Sequence, residues 1–519
     1  MKILFVPIDD RPCSLIFPIQ LASMANFEII VPPKEFLGCF FEPGSPELLI
    51  SWLETFGNSF DYALLSVDML IYGGLIASRN ANVSNSDYYV ESLEKWLNKN
   101  KSKKIILFST VMRTLPTFKD NFILAQSENL KKILAKIYPK EVISKEEIDD
   151  NIASELKKTT SYRDILSDCL KARDKKHKIN LKILDWKKSG IVNKVIFGLD
   201  DVVSQGPNLY EKRELEEIIE HNKLSDCFVC LGTDELPMSA ISKIYIETTG
   251  LVPSINIRYS NSFAQNKKTI YENTSVPEII KDFLKISGLS ENCNDDGINL
   301  FCHISRHGQK ETEFQKINFA GNEEKFAKQI AGFQSEGNFV AVADVAYANG
   351  ADNRFTKHLL KYVDFVNLGG YAGWNTSGNA LGCVIAQSIV RFIYQKQGKI
   401  SENAEKAHQI FTFERFIDDW IYQSIVRPKE KLKFTLLNKS VLNMSLEEQQ
   451  ISSLKIESEL KKYANRIFSK KYEGQHSLNA LKGGSFTINR PFKFNANLPW
   501  SRLFEILLHS DFTVICENN

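Results

Sequence analysis

The sequence carries little net charge and no long apolar run. Lysine and arginine total 65 and aspartate and glutamate total 63, so the net charge of +2 gives no overall attraction to nucleic acid or to an anionic membrane. The richest apolar stretch, from Cys383 to Tyr394, is interrupted by Gln387 and Arg391, and no uncharged stretch reaches the roughly 18 residues of a membrane-spanning helix. We therefore expect neither nucleic acid nor a membrane as a partner.

The N-terminus lacks the apolar core of a signal peptide. The first residues, MKILFVPIDDRP, reach Asp9 and Asp10 before such a core could form. Nine cysteines, an odd number scattered along the chain, favour reduced thiols over a disulfide framework. Together these features predict a cytoplasmic protein.

Few residues are spaced as ligands of a transition metal. There are only eight histidines and no HExxH spacing. His303 and His307 are the one close pair, and because they straddle the predicted end of a strand, packing or turn roles are favoured over a shared metal. Cys227 and Cys230 lie three apart in a predicted strand, face opposite sides of it, and are interpreted as buried structural cysteines. We predict no metal ligands and no cofactor, although the number of carboxylates permits a divalent cation.

Familiar motifs of nucleophilic catalysis and of nucleotide binding are also missing. There is no GxSxG elbow, so a Ser/His/Asp mechanism has little support, and Cys13 has no histidine close to it in sequence. Neither GxGxxG nor the lysine of a phosphate-binding loop occurs, which argues against nucleotide binding.

Ten short apolar runs alternate with amphipathic segments over the first 370 residues. Their hydrophobicity is continuous, which is typical of parallel strands buried on both faces by helices. We expect an α/β fold of parallel-strand βα repeats, with a (β/α)8 barrel favoured and doubly wound parallel sheets as the alternative. The runs are KILFVPI, FEIIVPP, YALLSVD, KIILFST, KVIFGLD, CFVCLGTD, SINIRYS, INLFCHIS, FVAVADV and VDFVNLG.

Changes in this rhythm predict three regions. Residues 1–290 form a βα catalytic region, within which the Lys/Glu-rich residues 118–188 are a helical insertion. Residues 291–400 form a second βα segment that completes or flanks the site, and residues 401–519 form a mainly helical C-terminal cap.

Polar residues cluster directly after the apolar runs. In one parallel sheet these positions share an edge, so we expect the side chains to converge on a binding or catalytic rim. Helix N-capping is the alternative for any one of them, but capping does not require pairs of acids together with arginines. The predicted substrate-binding residues are Asp9, Asp10, Arg11, Asp68, Tyr72, Arg79, Arg113, Arg306, Asp344, Asn349, Asp352, Trp374 and Asn375.

Two adjacent acidic pairs, Asp200–Asp201 and Asp234–Glu235, are the predicted catalytic residues. Like charges and partial desolvation can raise the pKa of one carboxyl in a pair, which separates an acid from a base. Cleavage of a glycosidic bond needs such a separation. The same carboxylates could instead hold a divalent cation.

The segment GGYAGWNTSGNALG, residues 369–382, predicts a glycine-rich turn that opens a helix. Such a turn can present backbone N–H groups to an anion. Trp374 beside Asn375 also suits a sugar, because the ring can stack on the C–H face while the amide binds hydroxyls. A tight structural turn is the alternative.

As a set, IDDRPC, DMLIYGGLIASR, GLDD, GTDE, ADVAYANGAD, GYAGWNTSGNALG and LPWSRLFE resemble a bacterial family catalogued only as a domain of unknown function. The resemblance covers nearly the whole chain and implies no activity. GLDD at residues 198–201 is also similar to the acidic pair of substrate-assisted barrel hexosaminidases. That similarity implies that one acid protonates the leaving group and its neighbour orients a 2-acetamido group.

These patterns favour a glycoside hydrolase-like enzyme whose paired carboxylates cleave a glycosidic bond, with a 2-acetamido sugar as a candidate substrate. The expected partner is a small molecule or an oligosaccharide. The alternatives are a metal-dependent hydrolase or phosphoryl-handling enzyme, and a non-catalytic protein that binds a sugar or metabolite.

Overall fold

The computed structural model describes most of the chain. The described residues are 1–57, 59–81, 85–118, 126–141, 143–159, 162–202, 204–291, 296–315, 321–398, 400–478 and 484–517.

Strands occur throughout these residues, and nine of the ten apolar runs contain a strand as predicted. In chain order the strands are β1 (Lys2–Val6), β2 (Glu28–Ile30), β3 (Gly38–Cys39), β4 (Glu42–Pro43), β5 (Tyr62–Ser66), β6 (Lys104–Val111), β7 (Lys194–Leu199), β8 (Cys227–Leu231), β9 (Ile255–Tyr259), β10 (Ile298–His303), β11 (Lys310–Glu311), β12 (Val340–Asp344), β13 (Tyr347–Ala348), β14 (Gly370–Ala372), β15 (Gly474–Ser477), β16 (Ser485–Asn497) and β17 (Leu507–Glu517).

Helices separate most of the strands. They are α1 (Ile16–Met24), α2 (Pro46–Thr55), α3 (Val67–Tyr72), α4 (Ser86–Lys99), α5 (Ser127–Ile137), α6 (Lys145–Lys158), α7 (Arg163–Lys188), α8 (Pro207–His221), α9 (Leu236–Thr249), α10 (Val276–Ser287), α11 (Glu323–Ser335), α12 (Asn353–Tyr362), α13 (Ser377–Lys396), α14 (Glu402–Arg415), α15 (Arg427–Leu436) and α16 (Leu446–Ile467). Two π-helical segments, Phe416–Val426 and Phe468–Tyr472, follow α14 and α16.

The chain divides into two compact units. The first unit contains residues 1–10, 29–236 and 271–273, and the second contains residues 11–28, 237–270 and 274–519. Each unit has its own sheet of parallel strands, so the protein is a mixed α/β protein.

The sheet of the first unit has six strands in the order β2-β1-β5-β6-β7-β8. The pairs from β1 to β8 are parallel. Every residue of β7 is buried, as expected for a strand covered on both faces. Strand β1 lies inside the sheet, between β2 and β5, so the winding direction changes at β1.

The sheet of the second unit has four strands in the order β14-β12-β10-β9. The three pairs are parallel, and β10 and β12 are buried throughout. The long helix α13 packs against β10, β12 and β14. A closed eight-stranded barrel is not shown among the described residues, because the hydrogen-bonded strands fall into these separate sheets.

The tenth apolar run, VDFVNLG, was predicted as a strand, and that prediction is wrong. The buried residues Phe365, Val366 and Leu368 lie in a turn, and the strand is the next three residues, Gly370–Ala372. Apolar side chains here fill the core from a loop, which hydrophobicity alone cannot distinguish from a strand.

Between β6 and β7 the described residues form the three helices α5, α6 and α7. A small separate core, which includes Leu130, Leu134 and Leu166, holds this region together. A capping box at Ser144 and Glu147 starts α6, which explains why the Lys/Glu-rich sequence begins a helix there.

After residue 401 the structure contains helices and also a three-stranded antiparallel sheet, β15-β16-β17, that the sequence analysis did not anticipate. Burial alternates along β16 and β17, which is typical of a sheet with one face in water. Phe486 and Ile488 from this sheet join the same core as Phe301 and Val340 of the four-stranded sheet.

No helix in the described part of the chain is long and apolar enough to cross a membrane.

Candidate functional site

Neighbouring strands of the first unit place the predicted catalytic residues along one edge. Leu199, the last residue of β7, pairs with Val111 of β6 and with Leu231 of β8. The three segments that follow therefore leave the sheet at the same edge. They carry Arg113 after β6, Asp200 and Asp201 after β7, and Asp234 and Glu235 after β8.

Asp200 is held by a buried ion pair with Arg79. The Arg79 guanidinium donates from Nη2 to Asp200 Oδ2, and from Nη1 to Thr117 Oγ1 at 2.6 Å. Arg79 lies in a short 3-10 helix that follows α3, so the connection after β5 supplies the cation for the acid after β7. The ion pair with Arg79 fixes the direction of the Asp200 carboxyl.

Asp201 is the more accessible acid of the pair. Its side chain is 37% exposed, and Arg113 Nη1 lies 2.9 Å from its Oδ2. Desolvation and the neighbouring charge of Asp200 raise the pKa of Asp201 to about 6, against the opposing effect of Arg113 and Arg79. Asp201 also has a positive φ of 41°, a conformation that aspartate tolerates better than most residues.

Glu235 is buried at the same edge. It is 1% exposed, and burial, followed by the charge of Asp234, raises its pKa to about 8. Glu235 is therefore mostly protonated at neutral pH. Its carboxyl occupies the space above Gly232, where an added Cβ would lie 1.5 Å from Glu235 Oε1.

Glu272 belongs to this cluster, and the sequence analysis missed it. It lies in the short segment 271–273 of the first unit, where Val202 N donates to Tyr271 O at 2.7 Å. The charge of Glu272 contributes to the raised pKa of both Asp201 and Glu235. Because Glu272 follows no strand, a search for polar residues after apolar runs could not find it.

A cavity of about 530 Å³ lies beside Arg79 in the first unit. Aromatic rings form much of its wall, from Phe41, Tyr72, Tyr89 and Phe118. The Tyr72 hydroxyl is buried and has no hydrogen-bond partner among the described residues. The structure thus brings two predicted substrate-binding residues, Tyr72 and Arg79, to one cavity.

Asp68 is instead enclosed in the interior. It accepts hydrogen bonds from Thr110 N and Thr110 Oγ1, both at 2.9 Å, and its Oδ1 lies 2.6 Å from Lys176 Nζ. Neither Asp68 nor Lys176 is exposed by more than 1%. This arrangement holds α7 against β6 and leaves Asp68 inaccessible to a ligand.

Asp9 and Asp10, which follow β1, are also buried in the first unit. Lys34 Nζ lies 3.7 Å from Asp10 Oδ2. The next residue, Arg11, belongs to the second unit, where its guanidinium lies 5.3 Å from the centre of the Trp500 ring.

In the second unit, His303 links the ends of two strands. Its Nδ1 is 3.2 Å from Ser260 Oγ, which follows β9, and its Nε2 is 3.2 Å from Asp352 Oδ2 at the start of α12. Burial alone would lower the pKa of His303, but the hydrogen bond to Asp352 and the charge of Asp344 raise it above its ordinary value. Ser260 Oγ also accepts from Ile304 N at 3.0 Å, so this hydroxyl is part of a local backbone network rather than a free nucleophile.

Asp344 and Asp352 support this histidine. Asp352 caps α12 by accepting from Arg354 N and Phe355 N, and its own N–H donates to Asp344 Oδ2 at 2.7 Å. Burial raises the pKa of Asp344 to about 7, whereas the pairing with His303 overcomes burial and lowers the pKa of Asp352.

Another acidic cluster of the second unit was missed because it lies on a helix. Arg415 Nη1 is 3.2 Å from Asp418 Oδ2 and 2.9 Å from Asp419 Oδ1. Asp419 Oδ2 accepts from Gly373 N at 2.7 Å, so the glycine-rich turn does bind a carboxylate, but one from this chain. Burial raises the pKa of Asp419 to about 7. The signal was the adjacent pair in FERFIDDWI, which follows no strand.

Trp374 and Asn375 lie in the predicted glycine-rich turn, which leads into α13 through the N-cap Thr376. Trp374 is only 3% exposed and packs against Phe504, so we do not retain it as a stacking platform. Asn375 has a φ of 67° and its carbonyl accepts from Asn349 N at 2.8 Å, while Asn349 Nδ2 donates to Glu311. These residues shape the turn.

A cavity of about 840 Å³ lies in the second unit and is lined by Arg306 and Asp352 from the predicted set. His303 and His307, the close pair of the sequence, both line it. Within the described ranges, no group of three or more His, Cys, Asp or Glu side chains is placed to hold a metal ion.

The predicted site residues therefore follow strands of two different sheets rather than one. Those of the first unit are Asp9, Asp10, Asp68, Tyr72, Arg79, Arg113, Asp200, Asp201, Asp234 and Glu235, and those of the second unit are Arg11, Arg306, Asp344, Asn349, Asp352, Trp374 and Asn375.

These features define a mixed α/β protein with a polar cluster at the carboxyl edge of each parallel sheet. The chain belongs to the family described as "Protein of unknown function (DUF4127)", which matches residues 3–509 and confirms the family resemblance of the motifs. No curated protein and no solved structure matches the chain.

Proposed function

We propose that the protein is a glycoside hydrolase-like enzyme, with Asp201 as the general acid and Asp200 as its charged partner. One observation carries the proposal: two adjacent carboxyls have different surroundings, Asp200 in a buried ion pair and Asp201 partly exposed with a pKa raised to about 6. Cleavage of a glycosidic bond needs one protonated and one ionised carboxyl at the same pH.

The roles follow from accessibility. Asp201, with 37% of its side chain exposed, can deliver its proton to the leaving oxygen as the C–O bond breaks. Asp200, fixed by Arg79, would orient the attacking group, either water or the carbonyl oxygen of a 2-acetamido substituent. The buried Glu235 cannot reach a substrate, so its role would be to support the cluster.

The neighbouring cavity supports a sugar or oligosaccharide as the substrate. Partly exposed aromatic rings in the wall, Phe41 and Tyr89, can cover the C–H faces of a sugar. In open parallel sheets, ligands commonly bind outside the carboxyl ends of the strands. Asp200 and Asp201 lie at that edge, directly after β7.

The direct experiment is a screen of nitrophenyl glycosides, including 2-acetamido sugars, with the purified full-length protein. We expect turnover in the screen, and we expect Asp201→Asn and Asp200→Asn each to lower it by about 100-fold or more while the fold survives.

Asp226→Asn is the matched control. Asp226 precedes β8, at the amino end of the same sheet, and its side chain is 53% exposed with Lys194 3.7 Å away. This variant should keep full activity. Full activity in both Asp200→Asn and Asp201→Asn would reject the site, and binding of sugars without any turnover would favour a non-catalytic binding protein.

A further inference from the structure

The 840 Å³ cavity of the second unit has a predominantly cationic wall. Arg306, Lys310, Arg354 and Lys357 line it, against the two acids Glu323 and Asp352. Asp352 is already engaged by the backbone of α12 and by His303. The chain as a whole is close to neutral, so this concentration of positive charge is local.

The cavity lies at the carboxyl ends of parallel strands, where ligands commonly bind to sheets of this kind. Ser260 follows β9, residues 303–308 end and follow β10, and Ala346 follows β12, so three strands contribute their carboxyl ends. The start of α12 also faces the cavity through Asn353 and Arg354. Arginine and lysine side chains together provide charge-assisted hydrogen bonds that suit a phosphate group.

His303 adds a buried group to this wall. Both ring nitrogens face oxygen atoms, Ser260 Oγ and Asp352 Oδ2, each at 3.2 Å. Phe355 stacks on the ring at 4.1 Å between centroids, which fixes its orientation. A doubly protonated imidazole satisfies both contacts at once, because it donates from each nitrogen.

We propose that this cavity is a binding site for a phosphate group, carried by a small phosphorylated metabolite, with Arg306 and Lys357 as ligand contacts and His303 as a fixed positive charge in the wall. The site is independent of the carboxyl cluster of the first unit and does not depend on the proposed glycosidase activity.

Calorimetric titration of the full-length protein tests the proposal. Inorganic phosphate, glucose 6-phosphate and glucose are the three probes, at constant ionic strength because exposed charges are screened by salt. We expect glucose 6-phosphate to bind and glucose not to bind. If glucose 6-phosphate binds more tightly than inorganic phosphate, the site is assigned to a phosphorylated metabolite. If inorganic phosphate binds more tightly than glucose 6-phosphate, a phosphorylated metabolite is rejected as the ligand.

Two lysines on α12 provide a matched pair of variants. Lys357 lines the cavity, and Lys361, one turn further along, is also exposed but does not line it. We expect Lys357→Gln to weaken binding about fivefold and Arg306→Gln with Lys357→Gln together at least about tenfold, with Lys361→Gln unchanged. Equal affinities of the Lys357→Gln and Lys361→Gln variants, or no binding of any anion by the unchanged protein, would overturn the proposal.

The pH dependence of sulfate binding tests the role of His303, since sulfate keeps its charge over the range. The groups that face His303 are Asp352 of α12, Asp344 of β12, Glu323 of α11 and the Ser260 hydroxyl. As pH rises through the raised pKa of His303, its charge is lost, and affinity should fall about threefold.

Variants separate the groups that titrate together. His303→Gln should abolish the fall in sulfate affinity, and a fall that persists in this variant would reject the role of His303. His307, which also lines the cavity, is tested by His307→Gln, and buried Asp344 by Asp344→Asn. The fall in sulfate affinity with pH should persist in both variants. If either variant loses the fall, the residue changed in that variant causes it instead of His303.

Discussion

Aspartates that follow parallel strands of the same sheet differ in exposure because their partners differ. Asp68 is sealed against Lys176 and Thr110, whereas Asp201 pairs with the half-exposed Arg113. The sequence predicts both acids from the apolar runs before them. It does not predict their partners, because Lys176 of α7 and Asp68 of α3 are far apart in sequence and meet only in the folded protein.

At the residue scale, Lys176→Met should destabilise the protein strongly. The change removes the only cation that the structure describes within ion-pair distance of Asp68, and both side chains are buried. Breaking a buried pair in this way costs about 3–5 kcal/mol. Thermal or urea unfolding measures the loss.

Lys178→Met is the control on the same helix. Lys178 pairs with Asp174 at 2.6 Å, but both side chains are well exposed. An exposed pair contributes about 1 kcal/mol or less, so this variant should unfold nearly as the unchanged protein does. Similar losses in the two variants would show that Asp68 and Lys176 are not the buried pair described.

The loop after β8 depends on a glycine, because of both backbone angle and space. Gly232 has a φ of 86°, and the Glu235 carboxyl occupies the volume that a side chain would need. Gly190, at the end of α7, has a φ of 74°, and no atom lies within 4 Å of the position that a Cβ would take. The two glycines share the backbone requirement and differ in the space around them.

At the element scale, Gly232→Ala should therefore be more damaging than Gly190→Ala. The backbone strain of about 1–2 kcal/mol is common to both variants. Only Gly232→Ala must also displace the buried carboxyl of Glu235, so it should lower the melting temperature further and reduce any activity of the cluster. Equal melting temperatures would contradict the close approach of Glu235 to Gly232.

Sequence patterns predicted continuous apolar strands better than alternating ones. β7, β10 and β12 are fully buried, and their runs were recognised for that reason. β16 and β17 bury alternate residues and carry many polar side chains, so they resembled the surrounding helical region. The β14 strand was displaced by a few residues because the loop before it is itself buried.

The division into two sheets could not be predicted from the sequence. An apolar run can predict a strand, but it does not predict which other strands pair with that strand. The candidate sites show the same limit. The acids after strands were found, whereas Glu272, Arg415 and Asp419 were missed because they lie in a loop or on helices.

At the scale of the whole molecule, several buried carboxyls have raised pKa values. The folded protein keeps protons that the unfolded chain loses above about pH 4. Stability should therefore be greatest at mildly acidic pH and should fall as pH rises toward 8. The groups are Glu235, with a pKa of about 8, and Asp344, Glu414 and Asp419, each with a pKa of about 7.

Glu235→Gln tests this linkage. The amide cannot ionise, so the variant should melt at a higher temperature than the unchanged protein at pH 8 and at a similar temperature at pH 5. Glu217→Gln, an exposed position on α8, should melt like the unchanged protein at both pH values. A melting temperature of the unchanged protein that rises from pH 5 to pH 8 would contradict the account.

The most direct test of the central claim is the leaving-group dependence of kcat/KM for Asp201→Asn. A general acid matters most when the leaving oxygen is basic and needs its proton, and matters little for an acidic leaving group such as dinitrophenol. If Asp201 is the acid, the variant should lose about 100-fold or more on a glycoside with an alkyl or sugar leaving group and little on the dinitrophenyl glycoside. An equal loss on both substrates, or none on either, would show that Asp201 does not protonate the leaving group.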